Sequence, residues 1–473
     1  MPKAGKEEGE LVVANRAGGR RDSPKPRGRL SRRDFLRLSG AGLAGAVLLG
    51  PAGCGGGGGG GGSGSGVTNL VFSFGPDDSG TLTEVVNRFN EEYSGEIQAE
   101  YRQMPSDTSS YFNQLRTEFQ SGASPVDVIG GDVTWPAQLA ANGWILDLSD
   151  LFTEDIRGDF VDATVQSCTY QDKVWGVPWF TDTGLLWYRQ DLLEESGFSE
   201  GPQTWDELKE MAEKTSRDSG TEFGFVFQGA QYEGAVVHGL EHVWTHGGEV
   251  LTDAGEVVVN QAEPISALRT HRSMIEDDVS PIAVVNYKEP ETHTAFLNGS
   301  AVFCRNWPYM YGLLKDPTQS QITPEQVEIT PLPHNEGGES HSGLGGWNMY
   351  VNAASKDKLD AIWEFIQFFT MNDEQQRFRA TSGGFLPPLK ALYEDEEILD
   401  SQPVVSIAGD ALERALTRPI SPFYSDVSLA MQRQFTESLK GTVTPEEAAQ
   451  NLQQEITSRI ELGERLLTED RSA

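Results

Sequence analysis

The sequence predicts an α/β protein with two cores. Short β-type runs alternate with amphipathic helical stretches along most of the chain, which is the pattern of parallel sheets covered by helices. Roughly 400 residues follow an N-terminal stretch that does not read as fold, more than one ordinary core holds, so two domains are expected. The third observation is the run 172–193, DKVWGVPWFTDTGLLWYRQDLL. Val174, Trp175, Val177 and Trp179 suit a pleated surface; Pro178 is expected to break that run. Phe180-Thr181-Asp182-Thr183 then sets an aromatic, hydroxyls and a carboxylate together before a second apolar run, 184–188. A strand that leaves one core, exposes an aromatic–Asp pair and enters another core is a hinge carrying a ligand group.

The first residues are basic and end in Ser31-Arg32-Arg33-Asp34-Phe35-Leu36-Arg37, followed by an apolar run over 38–49. Paired arginines before Phe-Leu and a short apolar core read as a twin-arginine export signal, residues 1–53. The run is well short of the ~20 residues a membrane-spanning helix needs. Ala52-Gly53-Cys54 resembles a lipoprotein processing site, although Pro51 stands where a small aliphatic residue is usual; Cys54 is the expected lipid attachment point. Residues 54–66 are Gly/Ser-rich, a flexible tether without side chains to bury. The expectation is an exported domain held by lipid on the outer face of the cytoplasmic membrane, without a spanning helix.

The chain has 37 basic and 71 acidic residues, net −34. Residues 1–53 hold 11 of the basic and 5 of the acidic groups, so residues 54–473 carry 26 and 66, a net charge of −40. Such a surface repels nucleic acid, whose binding needs Lys and Arg on phosphates, and disfavours a highly anionic ligand. With Cys54 assigned to the anchor, Cys168 and Cys304 remain, either as an exported disulfide or as two buried thiols.

In chain order, residues 69–74 read as a buried strand and 75–80 as a turn. Leu82, Val85, Val86 and Phe89 then recur at helical spacing. A loop between a strand and a helix N-terminus can meet a ligand, which makes Asp78, beside Asp77 and Ser79, a candidate; plain turn and cap chemistry is the alternative. Residues 97–101 form a second strand, and 126–132 a third with Asp132 at its carboxyl end. Thr204-Trp205-Asp206-Glu207 and Thr444-Pro445-Glu446-Glu447 are capping boxes opening helices. Residues 223–228 form a strand leading to Gln231-Tyr232-Glu233-Gly234. His238-Gly239-Leu240-Glu241-His242 matches the zinc-protease pattern H-x-x-E-H. Yet Gly239 weakens a helix there, no carboxylate ligand follows, and the expectation is no metal and no cofactor. The glycines of 343–346 admit close ligand approach and backbone rotation, but no Gly-Lys-Ser/Thr makes them a phosphate loop.

Several tracts resemble one family in the same order: "GVPWFTDTGLLWYRQDLL", "DVIGGDVTWPAQLAANGWILDL", "FLNGSAVFCRNWPY", "GLGGWNMYV", "GGFLPP" and "RPISPFY". The family is the extracellular solute-binding proteins of ABC importers, of the maltose/trehalose-binding type. The resemblance implies two discontinuous α/β lobes, 67–180 with 345–395 and 181–344 with 396–473, joined by a three-crossing hinge in the periplasmic-binding-protein manner. It implies that Asp132 and Asp182 accept sugar hydroxyls and Arg418 donates. Trp307, Phe180, Trp347 and Tyr424 then offer rings, while Gly346 lines the site. That Gln228 or Glu233 lines it too is implied only by the resemblance, and a structural role is the alternative. It also implies an ordinary helix at the H-x-x-E-H segment. Flat rings cover the C–H face of a sugar, and charged groups bond its rim. The expected function is capture of a neutral di- or oligosaccharide, trehalose- or maltose-like, by a monomer that hands it to a membrane permease, with no covalent chemistry. The rivals are a binder of a glycerol phosphoester, a glycosidase using Asp132 and Asp182, and a zinc hydrolase at His238.

Overall fold

A computed structural model describes residues 66–470 except 78, 253 and 254, with side chains as far as 463. The export signal, the tether, Cys54 and Asp78 lie outside the described residues. The strands are β1 (Thr68–Phe74), β2 (Ile97–Gln103), β3 (Val128–Asp132), β4 (Thr169–Tyr170), β5 (Lys173–Val174), β6 (Gly176–Thr183), β7 (Leu185–Arg189), β8 (Phe223–Val226), β9 (Ala301–Asn306), β10 (Val327–Thr330) and β11 (Leu344–Val351). The longer helices are α1 (Thr81–Glu92), α2 (Thr108–Gln120), α3 (Trp205–Ser219), α4 (Glu233–Thr245), α5 (Ala262–Glu276), α6 (Glu289–Leu297), α7 (Leu359–Thr370), α8 (Asp373–Gly383), α9 (Val404–Leu412), α10 (Tyr424–Lys440) and α11 (Pro445–Asp470).

Local rules account for many of these elements. Leu82, Val85, Val86 and Phe89 are the buried face of α1. The Thr204–Glu207 capping box opens α3. Thr444 and Glu447 exchange the same pair of bonds, at 2.8 and 3.1 Å, ahead of α11.

Two larger sheets form, in the orders β2-β1-β3-β11-β6 and β10-β7-β9-β8. Both are mixed, not parallel as strand–helix alternation alone suggests. β1 runs parallel to β2 and β3, but β11 is antiparallel to β3 and β6. The chain leaves the first sheet through β6, turns at Gly184 into β7 of the second, and returns as β11 from the opposite direction. Pro178 does not interrupt β6. The strand lies at the edge of its sheet, where a missing N–H costs least, and Pro178 pairs with Asn348 beside an irregularity in the β11 ladder.

One apolar cluster runs from Phe72, Trp179, Phe365 and Phe369 of the first sheet's layer to Leu185, Trp187, Phe296 and Cys304 of the second. A second cluster lies among α3, β8 and β9, and a third joins α4 to α10 and α11. Gly239 sits inside α4 because a Cβ there would collide with the Phe435 ring of α10. Cys168 and Cys304 are free, buried thiols, and burial pushes both well above the usual range. Among the described residues no helix is long and apolar enough to cross a membrane.

Candidate ligand-binding cleft

β11 is the spine of the site. Its register sets Trp347 opposite both Asp132 of β3 and Phe180 of β6, Gly346 opposite Thr181, and Gly345 opposite Asp182. Gly346 has φ 107°, and a Cβ on it would lie 2.6 Å from Thr181 Cα. Only glycine allows the two strands this approach in that conformation. Gly343, just before the strand, bridges Leu416 and thereby ties in the stretch leading to Arg418.

One end of the cleft is an ionic cluster between the sheets. Arg418 donates from Nη1 to Glu233 Oε1 at 2.7 Å and from Nη2 to Asp132 Oδ1 at 3.0 Å. Tyr424 Oη donates to Glu233 as well, and Ser428 Oγ donates to its other oxygen at 2.5 Å. Asp132 ends a fully buried strand. It does not act as a simple helix N-cap: Oδ1 accepts from Thr134 N and Oγ1 at 2.9 and 2.8 Å. Burial pushes the Asp132 carboxyl up, against the opposing pull of Arg418. A cavity of about 390 Å³ beside Glu233 and Tyr424, lined also by Thr134, Trp135 and Gln432, falls in the range of small-molecule sites.

The other end combines indole and carboxylate. Trp307, partly exposed just past β9, lies with its ring 4.0 Å from the Arg305 guanidinium, and its Nε1 donates to Glu289 Oε1 at 3.4 Å. Gly345 brings this ring beside Asp182: a Cβ there would be 3.0 Å from both. Burial pushes Asp182 up to about 7; Arg305 opposes the shift and Glu289 adds to it. Arg305 is fully buried and paired with Glu241, donating from Nε at 2.8 Å and also from Nη2. Gly343 N donates to the same carboxylate at 3.1 Å, so Glu241 joins the α4 layer to the start of β11.

The remaining candidates separate. Phe180 is 4% exposed and packs edge-on against Trp179, Phe74 and Phe385. It is a wall of the first core more than a free platform. Trp347 is partly exposed between Phe74, Tyr111 and Trp135. Gln228 is fully buried and donates to Thr292 Oγ1 and Arg305 O at 2.8 and 3.0 Å, a structural role, while Glu233 reaches the ionic cluster. Glu289 and Arg305 join these candidates without having been singled out in the sequence, and Glu241 joins them as the partner of Arg305 and not as part of a metal motif. Glu289 follows Lys288 at the start of α6, where an acid reads as helix-end chemistry.

Residues 75–376 match the family model described as bacterial extracellular solute-binding protein. The chain belongs to this family. A probable ABC transporter-binding protein of Deinococcus radiodurans is 34% identical over 325 residues, 67% of this chain and 75% of that protein. A maltotriose-binding protein of Pyrococcus abyssi is 25% identical over 337 residues, 69% of this chain and 68% of that one. Among solved structures, maltose-bound T. maritima MalE3 matches with a TM-score of 0.76 at 35% identity, covering 83% of this chain and 99% of the other. The solute-binding protein thus has the two-lobed architecture that the resemblance implied, and it is a binding component of ABC transport, not an enzyme. The side chains agree with that role. Glu241, which a zinc hydrolase would use as base, is locked in an ion pair with Arg305, and Asp132 is held by Arg418.

Proposed function

We propose that the protein captures a neutral di- or oligosaccharide of the maltose/trehalose type between its lobes and delivers it to a membrane permease. The lobes are taken as 67–180 with 345–395 and 181–344 with 396–473, acting as a monomer. An export signal over 1–53 and a lipid on Cys54 keep it on the outer face of the cytoplasmic membrane. The observation that carries this reading is the β11 register within the first sheet, which sets Trp347 opposite Asp132 and Gly345 opposite Asp182, with the Trp307 ring that follows β9 of the second sheet beside Gly345. Trp307 and Trp347 supply faces for sugar C–H groups; Asp132, Asp182 and Glu233 accept hydroxyls; Arg418 donates, and Tyr424 adds a phenol. Closure excludes water, and the permease selects the closed form.

The arginines at the cleft weigh against a phosphoester. Arg305 and Arg418 are already neutralised by Glu241, Asp132 and Glu233. Arg379 has two nitrogens without partners, but its guanidinium is packed on the rings of Trp179, Phe180 and Phe385. A thermal-shift screen over mono-, di- and trisaccharides, polyols and glycerol phosphodiesters tests the assignment. Stabilisation by an α-linked disaccharide or trisaccharide supports it. A shift only with the phosphodiesters overturns it.

A further inference from the structure

We propose that His238, His242 and His271 form a metal site that holds one divalent first-row transition ion between α4 and α5. His238 and His242 lie one turn apart on α4, and His271 comes from α5, so the set could not be read from the H-x-x-E-H spacing alone. One ligand atom from each ring lies within 4.8 Å of the others. All three side chains are buried, none more than 2% exposed.

The second observation is chemical. His238 Nε2, both ring nitrogens of His242 and His271 Nε2 are buried without a hydrogen-bond partner. Every neutral imidazole carries one donor and one acceptor nitrogen, and polar groups left unpaired in a core are destabilising. The surroundings offer no remedy. Phe225 and Phe227 flank His238, Trp205 stacks on His242 at 4.0 Å, and the Trp205 Nε1 donates elsewhere, to Thr245 Oγ1 at 3.0 Å. An ion that accepts three imidazole lone pairs satisfies a nitrogen on each ring at once. His238 has the outer partner that metal-bound histidines carry: its Nδ1 lies 3.4 Å from Glu241 Oε2, which leaves Nε2 for the ion. His246 is not a member. Its Nδ1 donates to His242 O at 2.7 Å, and its Nε2 meets Thr270 Oγ1 at 3.0 Å.

An all-imidazole set suits zinc, nickel or copper and disfavours calcium or magnesium, which want oxygen. Nitrogens bound at 2.0–2.1 Å around a tetrahedral ion stand about 3.3 Å apart. His242 and His271 stack on each other with ring centroids 4.4 Å apart, so loading requires side-chain rotation that turns these two rings out of the stack and brings the nitrogens inward, with a small fourth ligand such as water. The ion is structural. It cross-links two helices of the second lobe, and Glu241, paired with Arg305, does not serve as a base.

The test uses the full chain without a polyhistidine tag, unfolded with chelator, refolded with or without Zn²⁺, and desalted. Mass spectrometry of the metal should find about one equivalent of zinc per chain, falling below roughly 0.1 in His271→Gln and His242→Gln. Co²⁺ in place of zinc should give visible absorption bands in the wild type that both variants lack. If His242→Gln does not refold, His271→Phe, ring for ring, carries the comparison. Wild-type protein retaining under about 0.1 equivalent overturns the proposal, as would equal retention in folded variants, which would place the ion at the outlying His293, His334 or His341. None of these outcomes bears on sugar binding.

Discussion

Asp182 sits where a small change in environment has a chemical consequence. Burial raises its carboxyl to about 7, with Glu289 adding to the shift. Protonated, it donates; ionised, it accepts a sugar hydroxyl with charge assistance. Sugar affinity should therefore tighten as pH rises through about 7, and Asp182→Asn should flatten that profile, as read by calorimetry at several pH values. The linked effect on the ligand-free protein has the opposite sign. The folded state binds the extra proton, so this group's contribution to stability is lost as pH rises from about 4 through 7. Glu241 makes the second residue-scale prediction. Removing its charge leaves Arg305 fully buried and uncompensated, which costs about 3–5 kcal/mol; Glu241→Gln should show this as a lower calorimetric midpoint. Asp182 was singled out in the sequence, but its partners and the Glu241–Arg305 pair were not visible there, because Glu241 and Arg305 stand 64 positions apart and the acid looked like part of a metal motif.

At the scale of elements, β11 concentrates the constraints. Gly346→Ala forces a side chain into positive φ and against the β6 backbone. The strain is on the order of 1–3 kcal/mol. Thermal unfolding should fall accordingly, and sugar affinity with it, because Trp347 and Gly345 flank the substituted position. An unchanged melting curve would show that the strand accommodates the methyl. The glycine run was legible as a place of close approach, and so were α1 and the capping boxes, whose spacing is local. What β11 pairs with was not legible. A strand that returns between β3 and β6 is fixed by long-range packing, and nothing in its own residues states that Trp347 faces Asp132. Pro178 misled for a related reason: its cost depends on whether β6 is central or at an edge, and that is a property of the sheet.

For the whole molecule, Arg418 is the contact that matters. It bonds Asp132 from the first sheet and Glu233 from α4, so one cation links both sides of the cleft. Arg418→Met should leave two acids facing each other, widen the ligand-free molecule and weaken sugar binding. Small-angle scattering would record a larger radius of gyration, and an unchanged radius would mean that the lobes are held together elsewhere. The two-lobed plan was readable from the order of family-like tracts along the chain. Its closure by an arginine shared between two acids was not, since each acid alone reads as a sugar ligand.

The most direct measurement is titration calorimetry of the purified protein with the disaccharide that stabilises it best, alongside Asp132→Ala from the first sheet and Trp307→Ala from the second. The account predicts a single site of micromolar affinity, roughly −8 kcal/mol, weakened at least about tenfold by either change. No heat with any neutral sugar, or an affinity untouched by both substitutions, would contradict it.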